Sequence, residues 1–262
     1  MAVALNHIQV DDRAPAAVIT LNEPERLNPL SSALMKELTA ELRRQAARPE
    51  VRAIVIKGAG RAFSAGHDLK EMLGRPLEDQ RHLFELCTEM MQTVQQVPVP
   101  VIAQVHGIAT AAGCQLVATC DLAVASDDSR FATSGVRFGL FCSTPGVAVA
   151  RNISRKRALE MLLTGRFIDA RTAAEWGLIN RAVPAEQLEA EVQQLVEELG
   201  QLSPEALRIG KEGFYKQVEA DQATAYQLMS EAIACNAVAD DGQEGIRAFV
   251  EKRKPAWKPK QS

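Results

Sequence analysis

Residues 107–126 run GIATAAGCQLVATCDLAVAS. Glycine and small residues open the stretch, a mostly apolar run Gly113–Thr119 follows, and Leu122–Ala125 closes it as a short β-rich run. Just upstream, Val101–Val105 (VIAQV) is a compact apolar strand, set off by Pro98 and Pro100. The order is therefore strand, tight small-residue turn, helix, strand. Such alternation favours a parallel or mixed α/β architecture.

The same alternation extends in both directions. Ala17–Leu21 (AVITL) reads as a strand ended by the turn-like Asn22-Glu23-Pro24-Glu25, and Ala53–Ile56 as a second, closed by Gly58-Ala59-Gly60. Between them, Ser31 or Ser32 can cap a helix whose Leu34, Leu38 and Leu42 share one face. A polar stretch at Gly74–Asp79 leads into a long helical pattern through Val97. From Arg155 onward the pattern is largely helical, interrupted by Ile179–Val183 and Pro184. We expect an α/β core over 1–195 and a helical C-terminal region over 196–262.

The chain has 262 residues, 47% hydrophobic and 24% charged, and a formal net charge of -3, which suits an ordinary globular α/β protein. There is no basic excess of the kind a nucleic-acid partner calls for, and no apolar run long enough for a bilayer. The five cysteines, Cys87, Cys114, Cys120, Cys142 and Cys235, are odd in number and lack metal-ligand spacing. They read as reduced thiols packed as small hydrophobes. With no secretory pattern in MAVALNHIQVDD, the expected location is cytoplasmic. His7 and His106 also have no partners at metal-ligand spacing, so no metal is expected.

A second small-residue turn, Phe63-Ser64-Ala65-Gly66-His67-Asp68-Leu69-Lys70, also follows a strand and opens a helix. The first turn of a helix carries N–H groups without internal partners and the positive end of the helix dipole. Small residues let a ligand oxygen approach those donors, and two such turns facing each other would stabilise a carbonyl gaining negative charge. Small residues between strand and helix also serve tight packing, and the residues alone leave both readings open.

FSAGHDLKEM at 63–72 and GIATAAGCQLVATCDLAVAS resemble the two oxyanion segments of the crotonase, or enoyl-CoA hydratase/isomerase, superfamily. The resemblance continues through Phe131, Gly139, Pro145-Gly146, the stretch EMLLTGRFIDARTAAEWGLINRAVP at 160–184, and AFVEKRKPAW at 248–257. It implies a spiral of ββα units with C-terminal helices that build a homotrimer or a dimer of trimers. It also implies an acyl-CoA substrate, with coenzyme A as part of that substrate and no separate cofactor. Carried over, the main-chain N–H groups of His67 and Ala112 would hold the thioester oxygen. Arg26, Leu27, Ala65, Gly66, Asp68 and Lys70 would lie along the pantetheine and nucleotide, and Phe249 and Lys252 would reach the coenzyme, often across a subunit boundary.

The sequence departs from the family's hydratases where they resemble one another in using two glutamates. Those positions align with Gln115 and Gly135. An amide cannot accept a proton near neutral pH, and glycine offers no group at all. Losing positioned acid–base help costs about 10²–10⁴-fold in rate, so ordinary hydration is not expected. Ala112 replaces a glycine common in hydratases without removing the N–H. Cys142 reads as a small buried packing residue, with a reactive thiol as the minority alternative. His82, Glu85 and Glu89 share one helix face, where a solvated polar surface is the simpler reading. Asp68 can cap its own helix, and Asp121 precedes a strand as an acceptor of backbone hydrogen bonds. The remaining alternatives are a non-catalytic acyl-CoA binder, or a malonyl-type decarboxylase or thioesterase.

Overall fold

The computed structural model describes residues 5–258. The expected strands form, and the central ones are apolar on both faces. The first part of the chain comprises β1 (Ile8–Arg13), β2 (Ala16–Leu21), α1 (Ser32–Ala46), β3 (Ala53–Gly58), β4 (Ala62–Ser64), α2 (Leu69–Met72) and α3 (Leu77–Gln96). Next come β5 (Val101–Val105), β6 (Ile108–Thr110), α4 (Ala112–Thr119), β7 (Leu122–Ser126), β8 (Arg130–Ala132), α5 (Ser143–Asn152) and α6 (Arg155–Thr164). The chain then runs through β9 (Ile168–Asp169), α7 (Ala170–Trp176), β10 (Arg181–Val183) and the helices α8 (Leu188–Gly200), α9 (Pro204–Gln217), α10 (Gln222–Val238) and α11 (Asp240–Val250).

A six-stranded sheet has the order β1-β2-β3-β5-β7-β10, with β1 antiparallel to β2 and the other pairs parallel. A four-stranded sheet, β4-β6-β8-β9, lies alongside it. The chain steps from β3 to β4, from β5 to β6 and from β7 to β8, with helices between the steps. This is the ββα spiral that the resemblance implies. The three-residue strands β4, β6 and β8 are too short to show a period, so the sequence reads β6 as part of a turn.

One face of the large sheet is buried against α1 and α3, where Leu34, Leu38, Leu42 and Met90 are fully buried. The other face, with Val55, Ile102 and Val124, is closed by Leu188, Val192 and Val196 of α8. Residue 195, where the sequence places the domain division, therefore lies inside a helix that belongs to the core. The chain leaves the core at the turn before α9, not at 195. Ser31 caps α1 by accepting from the Leu34 N–H at 3.2 Å.

The C-terminal helices are tied to the core by a buried ion pair. Lys211 of α9 lies 2.7 Å from Asp121 and donates to Val94 O at 2.8 Å and Val99 O at 2.9 Å, so it also caps the end of α3. Asp121 accepts from the Val101 N–H at 2.7 Å, as expected, and from the Tyr215 hydroxyl at 2.8 Å. Burial pushes the Asp121 carboxyl up and the Lys211 amine down, while each partner opposes the shift in the other. Removing one member of a buried, hydrogen-bonded pair strands the other charge. Lys211→Met should therefore destabilise the fold by about 3–5 kcal/mol, read as a lower midpoint in urea unfolding.

Candidate functional site

The first turn is held from behind by the chain at 27–30. Leu27 and Asn28 adopt φ of 60° and 51°, an unusual left-handed pair; asparagine is among the residues that tolerate this conformation. Asn28 is fully buried, and its Nδ2 donates to Ala59 O at 2.9 Å, Ala62 O at 2.8 Å and Phe63 O at 3.2 Å. Ser64 Oγ donates to Asn28 O at 2.8 Å, Ala65 N–H to Leu27 O at 2.9 Å, and Leu30 N–H to Gly66 O at 2.8 Å. Residues 64–67 are thus strapped on one side, with Gly66 at φ 90°.

The second turn follows β6. Ala111 has φ 50° and ψ -118°, a conformation L-residues rarely adopt, and its N–H donates to Ala132 O at 2.9 Å. Strain of this kind concentrates at functional turns. Ala112 is the first residue of α4, whose N-terminus has no side-chain cap. Its N–H therefore belongs to the partnerless set at a helix start.

The two turns touch. A Cβ built on Gly113 would lie 2.4 Å from Ser64 O, and one on Gly66 would lie 3.1 Å from Ala112 N and 2.9 Å from the Ala111 Cβ. The geometry thus sets the backbone just before His67 against the backbone of Ala112. Thr110 Oγ1 meets Ser134 Oγ at 2.8 Å, which brings the 3-10 turn Ser134–Phe138 alongside.

Several polar side chains near this junction carry no charge. Gln115 is 5% exposed, with the Cys87 thiol 3.9 Å from its Oε1. Gly135 N–H points at Cys142 Sγ at 3.3 Å. Burial pushes the Cys87 and Cys114 thiols up to about 12 and also raises Cys142. That direction is opposite to an activated nucleophile. His67 Nδ1 lies 3.4 Å from Leu30 O. A carbonyl only accepts, so Nδ1 carries the hydrogen and Nε2 keeps its lone pair; Nε2 is buried without a partner. Burial lowers the His67 pKa, and its ring meets Phe84 edge-on at 5.4 Å.

Charge lies at the rim. Asp68 caps α2 by accepting from Lys70 N–H at 3.1 Å and pairs with Arg26, which also bonds Glu23 at 3.1 Å. Burial alone would raise the Asp68 carboxyl, but Arg26 and the Lys70 N–H outweigh it and hold the carboxyl below its ordinary value. Arg26, Leu27, Ala65, Gly66, Asp68 and Lys70 are thereby gathered around one turn. Lys70 is exposed and makes no ion pair among the described residues. Phe249 is 86% exposed and Lys252 has φ 54°; their segment packs on α9 and α10, and no hydrogen bond joins either residue to residues 26–70. His82, Glu85 and Glu89 are exposed on α3, and Glu89 pairs with Arg43 at 3.0 Å. Two surface hollows, about 400 Å³ over β1–β3 and about 530 Å³ along α3, are lined by no residue of either turn. The latter meets the junction only through Phe84.

A family model described as enoyl-CoA hydratase/isomerase matches residues 12–260. The chain belongs to the enoyl-CoA hydratase/isomerase family. It is 49% identical to the enoyl-CoA hydratase domain-containing protein 3, mitochondrial, of Rattus norvegicus, over 91% of this chain and 80% of the relative. The crystal structure of the human enoyl-coenzyme A hydratase domain-containing protein 3 superposes with a TM-score of 0.94 at 45% identity, covering 96% of this chain and 100% of that one. A crystal structure of an enoyl-CoA hydratase from Mycobacterium smegmatis gives 0.94 at 47% identity, covering 97% and 99%. The expected cytoplasmic location is overturned, since the relatives from rat, mouse and human are each named mitochondrial. Free cysteines separate oxidising from reducing surroundings and do not tell one reducing compartment from another.

Asn28, Ala111 and Thr110 organise the site, and the sequence reading passed over all three. The only sequence cue for Asn28 was an asparagine before Pro29. Gly113→Ala places a methyl against the Ser64 carbonyl and must separate the turns. It should cost about 1–3 kcal/mol of stability, as overpacking does, measured as a lower melting temperature.

Proposed function

We propose that this protein binds acyl-CoA thioesters with the thioester oxygen between the main-chain N–H groups of His67 and Ala112, and stabilises enolate-like charge there. The contact between the two glycine turns carries this reading: Gly66 and Gly113 let the backbones meet, and the strained Ala111 starts α4 at that point. Two oriented N–H dipoles in a dry site stabilise an oxygen that gains charge and require no proton transfer.

The nucleotide and pantetheine lie along Arg26, Leu27, Ala65, Gly66, Asp68 and Lys70. Lys70 offers a phosphate a free point charge, whereas Arg26 is already paired. Phe249 and Lys252 contribute from a neighbouring subunit of a homotrimer or dimer of trimers. The exposed Tyr226, Ile233, Val238, Ile246, Phe249 and Val250 of α10 and α11 support such an assembly. Coenzyme A enters as part of the substrate and no separate cofactor is required.

Ordinary hydration is not part of this proposal. Neither Gln115 nor Gly135 can move a proton, Cys142 is held as a neutral thiol, and His67 Nε2 is enclosed. The same observation favours a second reading, in which the protein holds acyl-CoA without turning it over. Calorimetry separates binding from chemistry. Butyryl-CoA should bind about tenfold more tightly than free coenzyme A, as two added hydrogen bonds allow. The enoyl absorbance of crotonyl-CoA should persist in the presence of the protein. Equal affinity for butyryl-CoA and coenzyme A would remove the carbonyl site from the account, and rapid loss of the absorbance would remove its proton-transfer argument.

A further inference from the structure

Positions 135 and 142 compete for one space. A Cβ on Gly135 would lie 2.5 Å from Leu140 O and 2.9 Å from Cys142 Sγ, closer than real Cβ contacts come. The segment is fixed there by several hydrogen bonds. Gly135 N–H points at Cys142 Sγ at 3.3 Å, Leu140 N–H donates to Gly135 O at 3.0 Å, and Gly146 N–H donates to Cys142 O at 2.9 Å. Gly139 makes the bend with φ 83°. The Leu140 carbonyl and the Cys142 sulfur therefore both crowd the place where a side chain at 135 would begin. Cys142 and Cys114 are both buried.

The topology sets this pair in line with the donors. β4, β6 and β8 are neighbouring parallel strands. The turn after β4 carries His67, the turn after β6 carries Ala112, and the turn after β8 carries Gly135. Residues that would hold the coenzyme gather at the first turn. On the proposed function, a thioester whose oxygen lies between the first two turns would have the third turn as the next neighbour of its acyl group. Thr110 and Ser134, bonded at 2.8 Å, fix the spacing between the second and third turns.

We infer that Cys142 sets the width of the acyl site beside the thioester carbonyl and selects unbranched over 2-branched acyl groups. This rests on the proposed thioester site. The sulfur acts here by volume, as a neutral side chain locked to the Gly135 amide, and not as a nucleophile.

Calorimetric affinities for butyryl-CoA and isobutyryl-CoA test it, because the two acyl groups have the same atoms and differ in branching next to the carbonyl. The wild-type protein should prefer butyryl-CoA. Cys142→Ala should shift the ratio towards isobutyryl-CoA by about tenfold, the discrimination a single methyl group usually provides. Cys142→Val should shift it the other way; if that variant does not fold, Cys142→Ala still decides. An unchanged ratio in Cys142→Ala, or a wild-type preference for the branched ester, overturns the inference while leaving the thioester site standing. If wild-type protein binds neither ester more tightly than free coenzyme A, the thioester site itself fails, and this inference fails with it.

Discussion

Two backbone turns can meet only where side chains are absent, and the architecture around the site serves that contact. A single methyl at Gly113 would collide with the Ser64 carbonyl at 2.4 Å. The approach is also held from both sides. Asn28 gathers three carbonyls behind the first turn, and Ala132 O receives the Ala111 N–H behind the second. With the turns fixed, the strain at Ala111 becomes tolerable, since the surrounding hydrogen bonds over-determine that conformation. The outcome is a helix start whose N–H groups face a neighbouring turn across glycine.

Charge is distributed to match. Full charges are placed at the rim, as in the Arg26–Asp68 pair, or under the C-terminal helices, as in Lys211–Asp121. Around the junction the side chains are an amide, thiols and an imidazole that burial keeps neutral. In such surroundings fixed backbone dipoles act with little screening. Groups that could transfer protons are missing from the positions where hydratases of the family resemble one another. The proposed function accordingly separates stabilisation of a charged oxygen from proton transfer.

The long elements were legible in the sequence because their residues declare a period. Leu34, Leu38 and Leu42 of α1 and the apolar strands β2, β3, β5 and β7 appear where the pattern puts them. The small sheet was not legible, since β4, β6 and β8 are three residues each and built partly from alanine and serine. The division at 195 missed because α8 is amphipathic like the helices after it, and only packing shows that its apolar face closes the sheet. At the site, the two small-residue turns stood out, but their mutual contact depends on long-range placement. Asn28 and Ala111 act through positive-φ backbone conformations that residue identity does not announce. Gly135 looked like a missing glutamate; its close contacts with Leu140 and Cys142 appear only in three dimensions.

A crystal structure of the protein with butyryl-CoA bound tests the central claim most directly, through the distances from the thioester oxygen to the amide nitrogens of His67 and Ala112. Both should fall at about 2.7–3.1 Å, the range of effective oxyanion donors. An oxygen bonded to neither nitrogen, or an acyl group lodged away from the junction of the two turns, would contradict the account.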